Sequence, residues 1–281
     1  MKVCTIASGS GGNCVYVSAG DTHILIDAGI SCRRISAALK ALGVEVSDLS
    51  AVLITHEHSD HVAGLTTMMK RHAIPLYASA PTLNVLKEKL PVIQGGCFPV
   101  TPGERADIGA IAVTPFATSH DAVASVGYAV AAGGRRMALA TDLGFASEEV
   151  YRGVAGADLL ICETNHDVDW LRSGPYPYPL QQRILGDRGH LSNEAGAELA
   201  AWAAAQGTKI LILAHLSREN NTPARARQAV ELKIHRHALL QPPDHRIDGQ
   251  RLAFRFLHRR AHCRKQVRIG RINGCLVRQL E

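Results

Sequence analysis

The sequence predicts an α/β fold in which two β-sheets pack face to face between outer helix layers, a four-layer αββα sandwich. Short apolar runs rich in β-branched residues alternate along the chain with segments of helical periodicity. Many β-runs come early, helices follow, and a later series of β-runs resumes the strand-to-helix rhythm. A chain of 281 residues is long enough to bury the core of such a sandwich.

The first half of the chain begins with three strands and continues with alternating helices and strands. The strands are VCTIAS, CVYVSA and HILIDAG, separated by the turn signals SGSGGN and GD. The segment SCRRISAALKALG has the spacing of an amphipathic helix, with Ser31 as its cap and Gly43 as its stop. A buried strand, a helix, a strand and a second helix follow: SAVLIT, HVAGLTTMMKRH, IPLYAS and PTLNVLKEKL.

The second half repeats this rhythm. Three β-runs, a short helix and a strand are followed by a long helix, with Ser192 as cap and Gly207 as stop, and by a last buried strand. In chain order these segments are IAVTPFA, SVGYAVAA, RRMALAT, EEVYRGVA, ADLLICE, LSNEAGAELAAWAAAQG and TKILILAHLS. A further helix is predicted to start near Pro223.

The C-terminal part of the chain differs in charge from the rest. Residues 225–281 hold 14 Lys and Arg against 4 Asp and Glu, whereas residues 1–224 hold 17 against 21. A basic tail is typical either of an arm that binds a phosphate backbone or of a solvated terminus, and both interpretations stay open. Beyond residue 237 the pattern weakens to one possible strand, RLAFRF. We predict one domain over residues 1–237 and a basic extension of uncertain structure over residues 238–281.

The sequence shows neither a membrane span nor an export signal. No apolar run reaches the roughly 18–20 residues of a span, and the start MKVCTIASGSGG lacks the apolar core of a secretory signal. The seven cysteines are odd in number and scattered, without a CxxC pair, which suits free thiols in a reducing compartment. We therefore predict a cytoplasmic protein without a membrane partner.

The segment ITHEHSDH packs three histidines and one aspartate into six positions: His56, His58, Asp60 and His61. If the preceding AVLI is a strand, His56 and His58 leave its end in extended geometry and point to the same side, while Glu57 points away. Imidazole and carboxylate ligands suit Zn²⁺ and related divalent ions. Four such groups in so short a loop are too many for one ion, so two neighbouring ions are the better solution.

A two-ion site needs further ligands at strand ends on the same sheet edge, and other segments supply them. His120 follows IAVTPFA, Asp142 follows RRMALA, and His215 follows TKILILA. A lone histidine at a strand end is more often structural than a ligand. Independent segments that share this context favour a metal site, because loop side chains gather over the strand ends of an α/β sheet.

The pattern HxHxDH after a strand, followed by a separate His, an Asp and a last His, resembles the metallo-β-lactamase superfamily. The resemblance implies an αββα sandwich with a binuclear site between the sheets. It assigns the first ion to His56, His58 and His120, the second to Asp60, His61 and His215, and a bridge to Asp142. The strings ASGSGGNCVYV, LIDAG, TSHDA, ETNHD, GHLSNE and LSRENN are similar to the YycJ/WalJ-like branch, which implies a nuclease, a 5′-to-3′ DNA exonuclease. The resemblance covers residues 2 to about 235.

The chemistry of such a site indicates the same kind of substrate. Two divalent ions, two carboxylates and a bridging hydroxide leave a net charge of about +1, which favours an anionic group. We predict phosphodiester hydrolysis by metal-bound hydroxide, with Zn²⁺ favoured, Mn²⁺ as the alternative ion, and DNA favoured over RNA. Asp60 and His190 are the candidate catalytic residues. His190 is either the general acid for the leaving oxygen or a helix-start residue that bonds a backbone carbonyl.

Other residues are expected to support the site. Asp27 at the end of HILID should buttress the metal histidines, and Glu163 and His166 in ETNHD should orient ligands. The loop SGSGGN either approaches a phosphate through its backbone or forms a tight turn with positive φ. The rival enzyme is a binuclear hydrolase of a small thioester or lactone. A metal-stabilised binding module is disfavoured, because seven ligands over two ions leave positions open for water and substrate.

Overall fold

The computed structural model describes residues 1–90, 93–240, 253–256, 271–272 and 275–279. Its strands are β1 (Lys2–Ala7), β2 (Cys14–Ala19), β3 (Thr22–Ile26), β4 (Ala51–Leu53), β5 (Leu76–Ser79), β6 (Cys97–Val100), β7 (Ala106–Ile108), β8 (Ile111–Ala117), β9 (Val126–Ala132), β10 (Arg135–Ala140), β11 (Leu159–Glu163), β12 (Ile210–Ala214), β13 (Ala253–Phe256), β14 (Arg271–Ile272) and β15 (Cys275–Gln279). Its α-helices are α1 (Cys32–Ala41), α2 (Ser59–Val62), α3 (Leu65–Arg71), α4 (Ala80–Lys89), α5 (Glu148–Val154), α6 (Val168–Ser173), α7 (Tyr178–Leu185), α8 (Asn193–Ala205) and α9 (Pro223–Leu240).

Within these residues the strands form two mixed sheets. The first has eight strands in the order β14-β15-β1-β2-β3-β4-β5-β6, and the second has seven in the order β13-β12-β11-β10-β9-β8-β7. The strands from β3 to β6 pair parallel, as do those from β10 to β13. Because parallel strands end at the same edge of a sheet, the loops after β3 and β4 gather in one sheet and those after β10 to β12 in the other.

Three buried layers stabilise the sandwich. Ile24 and Tyr128 belong to the central layer, which lies between the two sheets. Ile35 of α1 and Met68 of α3 belong to a second layer, between the first sheet and its helices. Leu199 of α8 belongs to a third layer, between the second sheet and α5, α8 and α9. This arrangement confirms the predicted αββα sandwich.

Some helices differ from the prediction. The helix predicted over residues 61–72 is divided into α2 and α3, and the chain passes between them at Gly64. A Cβ at Gly64 would lie 2.2 Å from the carbonyl oxygen of Ile30, so glycine permits a close approach to the loop after β3. The sequence does not predict α7, because GPYPYPL resembles a turn. Pro177 and Pro179 are tolerated at its start because the first helical N–H groups have no intrahelical partner.

Most of the predicted extension over residues 238–281 lies outside the described residues. Its described parts pair with both sheets: β13 lies parallel to β12, which confirms a strand within RLAFRF, and β15 lies antiparallel to β1. The domain boundary after residue 237 stays a prediction. None of the helices in the described ranges is both long and apolar enough to cross a lipid bilayer.

Candidate metal centre

Loops of both sheets bring the seven predicted ligands together at one edge of the sandwich. Among the described residues, their ligand atoms form overlapping groups in which all atoms lie within 4.8 Å of one another. The groups are His56, His58 and His120; Asp60, His61 and His215; His56, His61 and Asp142; and Asp142, Glu163, His190 and His215. The seven predicted ligands, which come from four separate segments of the sequence, therefore meet in one cluster together with Glu163 and His190.

The hydrogen bonds of His58 and His120 determine which ring nitrogen keeps its lone pair. His120 Nδ1 lies 3.1 Å from the carbonyl oxygen of Gly189, which can only accept, so Nδ1 carries the proton and Nε2 keeps the lone pair. His58 Nε2 lies 3.3 Å from the carbonyl oxygen of Asp121, which leaves the lone pair on Nδ1. Each ring therefore has one nitrogen able to bind a metal.

Asp27 and Thr55 orient two further histidines. Thr55 Oγ1 donates to Asp27 Oδ2 at 3.0 Å and therefore accepts from His56 Nδ1 at 3.0 Å. His61 Nδ1 lies 2.8 Å from Asp27 Oδ2. In the neutral form that binds a metal, both rings are thus protonated at Nδ1 and have their lone pairs on Nε2. Asp27 contacts a predicted ligand, as the sequence predicts, whereas Thr55 is a partner that sequence reasoning missed.

Glu163 has the corresponding place in the second sheet. Its Oε1 lies 3.0 Å from His215 Nδ1 and 2.8 Å from His190 Nδ1. Its Oε2 accepts hydrogen bonds from the backbone N–H groups of Leu143 and Leu191. In its neutral form His215 is therefore protonated at Nδ1 and has its lone pair on Nε2, as a metal ligand requires.

Asp142 and Asp60 lie between the histidine nitrogens. Asp142 Oδ2 is 3.5 Å from His61 Nε2, and Asp142 Oδ1 is 3.4 Å from His215 Nε2 and 3.8 Å from His120 Nε2. Asp60 Oδ2 is 3.5 Å from His61 Nε2 and 3.8 Å from His215 Nε2. Metal bonds of roughly 2.1 Å at a tetrahedral angle place two ligand atoms roughly 3.4 Å apart, so these spacings suit shared ions.

Several acceptors of the cluster are buried without a hydrogen-bond partner in the described structure. They are His56 Nε2, His215 Nε2 and Asp142 Oδ2. Leaving a buried polar atom unsatisfied costs roughly 1–3 kcal/mol. A cation satisfies lone pairs that face one another, so the donor set fits divalent metal ions.

The backbone is left-handed at three polar residues that support the cluster. Asp27, Asp142 and His215 have φ values of 62°, 61° and 55°, which among the described residues make up the non-glycine positions with positive φ. Each lies just beyond the end of a strand. This conformation costs on the order of 1–3 kcal/mol, and such strain is typical of a functional site.

Burial and neighbouring carboxylates divide the histidines into two kinds. Burial lowers the pKa of His56 and His120, which keeps both rings neutral and able to bind a metal. Burial also opposes charge on His61, but the carboxylates around it, Asp142 first, raise its pKa to about 10. The pKa of His215 is raised for the same reason, against the effect of burial. The surroundings of His61 and His215 thus favour positive charge. A metal ion supplies that charge when it displaces the extra ring protons.

The loop SGSGGN supports the site from the first sheet. Ser8 Oγ accepts a hydrogen bond from the backbone N–H of His215 at 2.8 Å. The amide nitrogen of Asn13 lies 3.0 Å from His61 Nε2. Gly12 has a φ of 129°, which confirms the interpretation as a tight turn with positive φ. Phosphate binding by this loop stays a prediction.

Some polar residues of the site differ from the prediction. His166 does not contact the ring of His215 directly: its Nδ1 lies 3.4 Å from Asn165 Oδ1, and the Asn165 amide nitrogen lies 3.3 Å from His215 Nδ1. Sequence reasoning missed Asn165, as it missed Thr55 and Asp121. Thr55 and Asp121 each adjoin a predicted ligand in the chain, and Asn165 adjoins His166, so adjacency to predicted site residues is the signal that could have found them.

The chain matches the family described as the beta-lactamase superfamily domain over residues 22–216. It is 39% identical to the exodeoxyribonuclease YycJ of Bacillus anthracis over 233 residues, which cover 82% of this chain and 88% of that protein. It is also 39% identical to the exodeoxyribonuclease WalJ of Streptococcus pneumoniae over 226 residues, which cover 79% of this chain and 83% of that one.

Solved structures agree with this assignment at the level of the fold. The metallo-beta-lactamase fold protein YhfI from Bacillus subtilis aligns with a TM-score of 0.65 and 20% identity, over 83% of this chain and 93% of that one. Identity this low shows the fold alone, whereas the family match spans more than half of the chain. The chain therefore belongs to the metallo-β-lactamase superfamily and, within it, to the group of the YycJ and WalJ proteins, as its motifs predict.

Proposed function

We propose that this chain is a two-metal phosphodiesterase that degrades DNA from a strand end, with the 5′-to-3′ polarity that its resemblance implies. The observation that carries the proposal is the cluster of seven His and Asp side chains, in which Asp142 belongs to more than one ligand group. The relatives named exodeoxyribonucleases support a nucleic-acid substrate and favour DNA over RNA. The cysteine usage favours the cytoplasm as the compartment.

The proposed ligands are His56, His58 and His120 for the first ion, Asp60, His61 and His215 for the second, and Asp142 for both. When bound, two divalent ions, Zn²⁺ or Mn²⁺, supply Lewis-acid chemistry that polarises a phosphoryl group and makes water more acidic. The side chains of His58 and Asp60 are 31% and 24% exposed, whereas that of Asp142 is 3% exposed. Substrate therefore approaches on the side of Asp60, whose carboxylate orients the attacking water.

His190 is the proposed general acid. Its Nδ1 bonds Glu163 instead of the backbone carbonyl that the helix-start alternative requires, so Nε2 is left to carry a proton to the leaving oxygen. Burial opposes charge on Glu163, but His190 and His215 lower its pKa to about 2. The 22% exposed fraction of the His190 side chain gives it access to the cleft.

Arginines beside the cluster support binding of a phosphate backbone. Arg218 is exposed, and a Cβ at Gly11 would lie 2.6 Å from its Nη2 atom, so the guanidinium covers the glycine-rich loop. Arg188 is also exposed, and its Nε donates to the carbonyl oxygen of His120 at 3.3 Å. Such cations attract nucleic acid with an affinity that falls as salt rises.

An assay with end-labelled DNA tests the proposal. We expect single- or double-stranded DNA to be shortened from one end with Mn²⁺ or Zn²⁺, and to stay intact after chelation or with the variant Asp142→Asn. RNA of the same sequence, run in parallel, measures the preference between nucleic acids. Turnover of a small thioester or lactone without shortening of DNA would contradict the proposal and favour the rival hydrolase.

A further inference from the structure

Asp121, the residue after His120, places a carboxylate oxygen at the edge of the first ligand group. Its Oδ1 lies 3.4 Å from His120 Nε2, which keeps the lone pair of that ring, and 3.8 Å from His58 Nε2, which carries the proton of its ring. This oxygen is buried without a hydrogen-bond partner in the described structure, although the side chain as a whole is 27% exposed. The carboxylate therefore turns an unsatisfied acceptor towards the cluster.

The contact between Asp121 and His120 joins two acceptors. His120 Nδ1 carries the ring proton towards the carbonyl oxygen of Gly189, so the nitrogen that faces Asp121 has only its lone pair. Two lone pairs 3.4 Å apart repel unless a cation lies between them. The same 3.4 Å separates Asp142 Oδ1 from His215 Nε2, which are both proposed ligands. Asp121 thus has the spacing of a ligand.

Arg183 of α7 fixes the orientation of this carboxylate. Its Nε and Nη2 atoms both bond Asp121 Oδ2, at 2.6 Å and 2.5 Å. Because both donors use the same oxygen, Oδ1 is left for another partner. A carboxylate with one oxygen on an arginine and the other free to bind an ion is a ligand held in place from outside, as metal ligands commonly are.

We infer that Asp121 is an additional oxygen ligand of the first ion, positioned by Arg183. The inference rests on the ligand set proposed above and adds one residue to it. With His56, His58, His120 and Asp142, it gives the first ion three imidazoles and two carboxylates. This set exceeds the four ligands of a closed zinc site and suits an ion such as Mn²⁺, which accepts more oxygen ligands.

Ion binding by the full-length protein stripped of metal tests the inference without reference to turnover. Chelator competition gives the Kd of each of the two metal sites for Mn²⁺ and for Zn²⁺. The absorption spectrum of the Co²⁺-loaded protein reports the coordination number. We expect Asp121→Asn to weaken the binding of one of the two ions by roughly 10-fold or more, and the loss to be larger for Mn²⁺ than for Zn²⁺. The Co²⁺ spectrum should also change. The other ion should bind as in the wild type.

Asp167→Asn is the matched control, because Asp167 also pairs with an arginine, Arg225, at 2.5 Å but lies outside the ligand groups. It should leave both ions unchanged. Arg183→Gln should weaken the binding of the same ion that Asp121→Asn affects, but by a smaller factor. If the only role of Asp121 were to hold α7 in place through Arg183, Asp121→Asn and Arg183→Gln would lower the free energy of unfolding equally and leave ion binding intact.

Equal ion affinities and identical Co²⁺ spectra for the wild type and Asp121→Asn would overturn the inference. Should that variant fail to fold, Asp121→Ser is measured in the same way, with the same expected loss of one ion. Failure of the proposed function looks different: the wild type would bind two ions without shortening DNA, and the loss caused by Asp121→Asn would persist.

Discussion

Each sheet contributes one buried carboxylate behind the metal centre, but the two carboxylates have different partners. Asp27, just after β3, contacts one imidazole, that of His61, together with the hydroxyl and the N–H of Thr55. Glu163, at the end of β11, contacts two imidazoles, those of His190 and His215. Of the two, Glu163 connects a proposed metal ligand with a residue that faces the cleft.

These partners shift the pKa values of the two carboxylates in opposite directions. Burial raises the pKa of Asp27, and the opposing effects of His61 and Thr55 do not offset it. Burial acts in the same direction on Glu163, but the two imidazoles outweigh it and lower the pKa to about 2. The number of imidazole partners, more than burial, therefore makes the pKa values of the two carboxylates differ. Asp27 orients one ligand, whereas Glu163 couples the metal site to the proposed general acid.

The largest effect is expected from Glu163→Gln. The amide group can satisfy the two ring N–H groups or the two backbone N–H groups with its oxygen, but its NH₂ then faces the other pair of donors. Hydrolysis should fall by roughly 10⁴-fold, because both imidazoles lose the acceptor that fixes their tautomer, as when the aspartate of a Ser-His-Asp triad becomes asparagine. Measurement of kcat and of bound metal checks this result.

Glu149→Gln is the control for this change, because Glu149 is an exposed glutamate of α5 that pairs with Arg152. It should have wild-type turnover. Wild-type turnover of Glu163→Gln with full metal content would show that the shared carboxylate does not couple the two histidines.

A smaller loss is expected from His190→Ala, which removes only the cleft-facing partner of Glu163. Turnover should fall by roughly 10²–10³-fold while metal content stays intact, as for loss of a general acid. Loss of bound metal would instead make His190 a ligand, as its place in the group with Asp142 and His215 allows.

Asp27→Asn tests the carboxylate of the first sheet. Because Asp27 directly contacts one ligand, His61, and no cleft-facing residue, we expect the second ion to bind roughly 10–100-fold more weakly. At saturating metal, kcat should return to within a few-fold of the wild type. Titration of activity against free metal measures both quantities. A loss of kcat at saturating metal as large as that of Glu163→Gln would remove the difference between the two carboxylates.

The sequence predicts one side of this comparison better than the other. Asp27 ends the apolar run HILI, so its place beside the metal histidines follows from the strand pattern. The double contact of Glu163 does not, because it requires β11, β12 and the segment before α8 to meet in space. The pairing of Asp121 with Arg183 could not be predicted from the sequence either, because it depends on the packing of α7. The prolines around Tyr178 make this segment look like a turn in the sequence.

The smallest effect is expected in the unfolding of the metal-free protein as a function of pH. Glu163 has an ordinary pKa of 4.5 and a folded value of about 2, so the unfolded chain takes up its proton first as the pH falls. Its contribution to stability is complete above pH 4.5 and is lost as the pH falls towards about 2. The contribution of Asp27 changes with pH in the opposite direction. Because its pKa is raised in the folded state, its contribution to stability is complete below pH 3.8 and is lost as the pH rises above that value.

Urea unfolding at several pH values between about 3 and 6 measures both contributions. Glu163→Gln should flatten the fall in the free energy of unfolding on the acid side, and Asp27→Asn should reduce the fall as the pH rises. Because the two slopes have opposite signs, a general loss of stability in either variant shifts its curve without imitating this result. Curves parallel to that of the wild type would show that folding shifts the pKa of neither carboxylate, and the division of roles between the sheets would then need another physical cause.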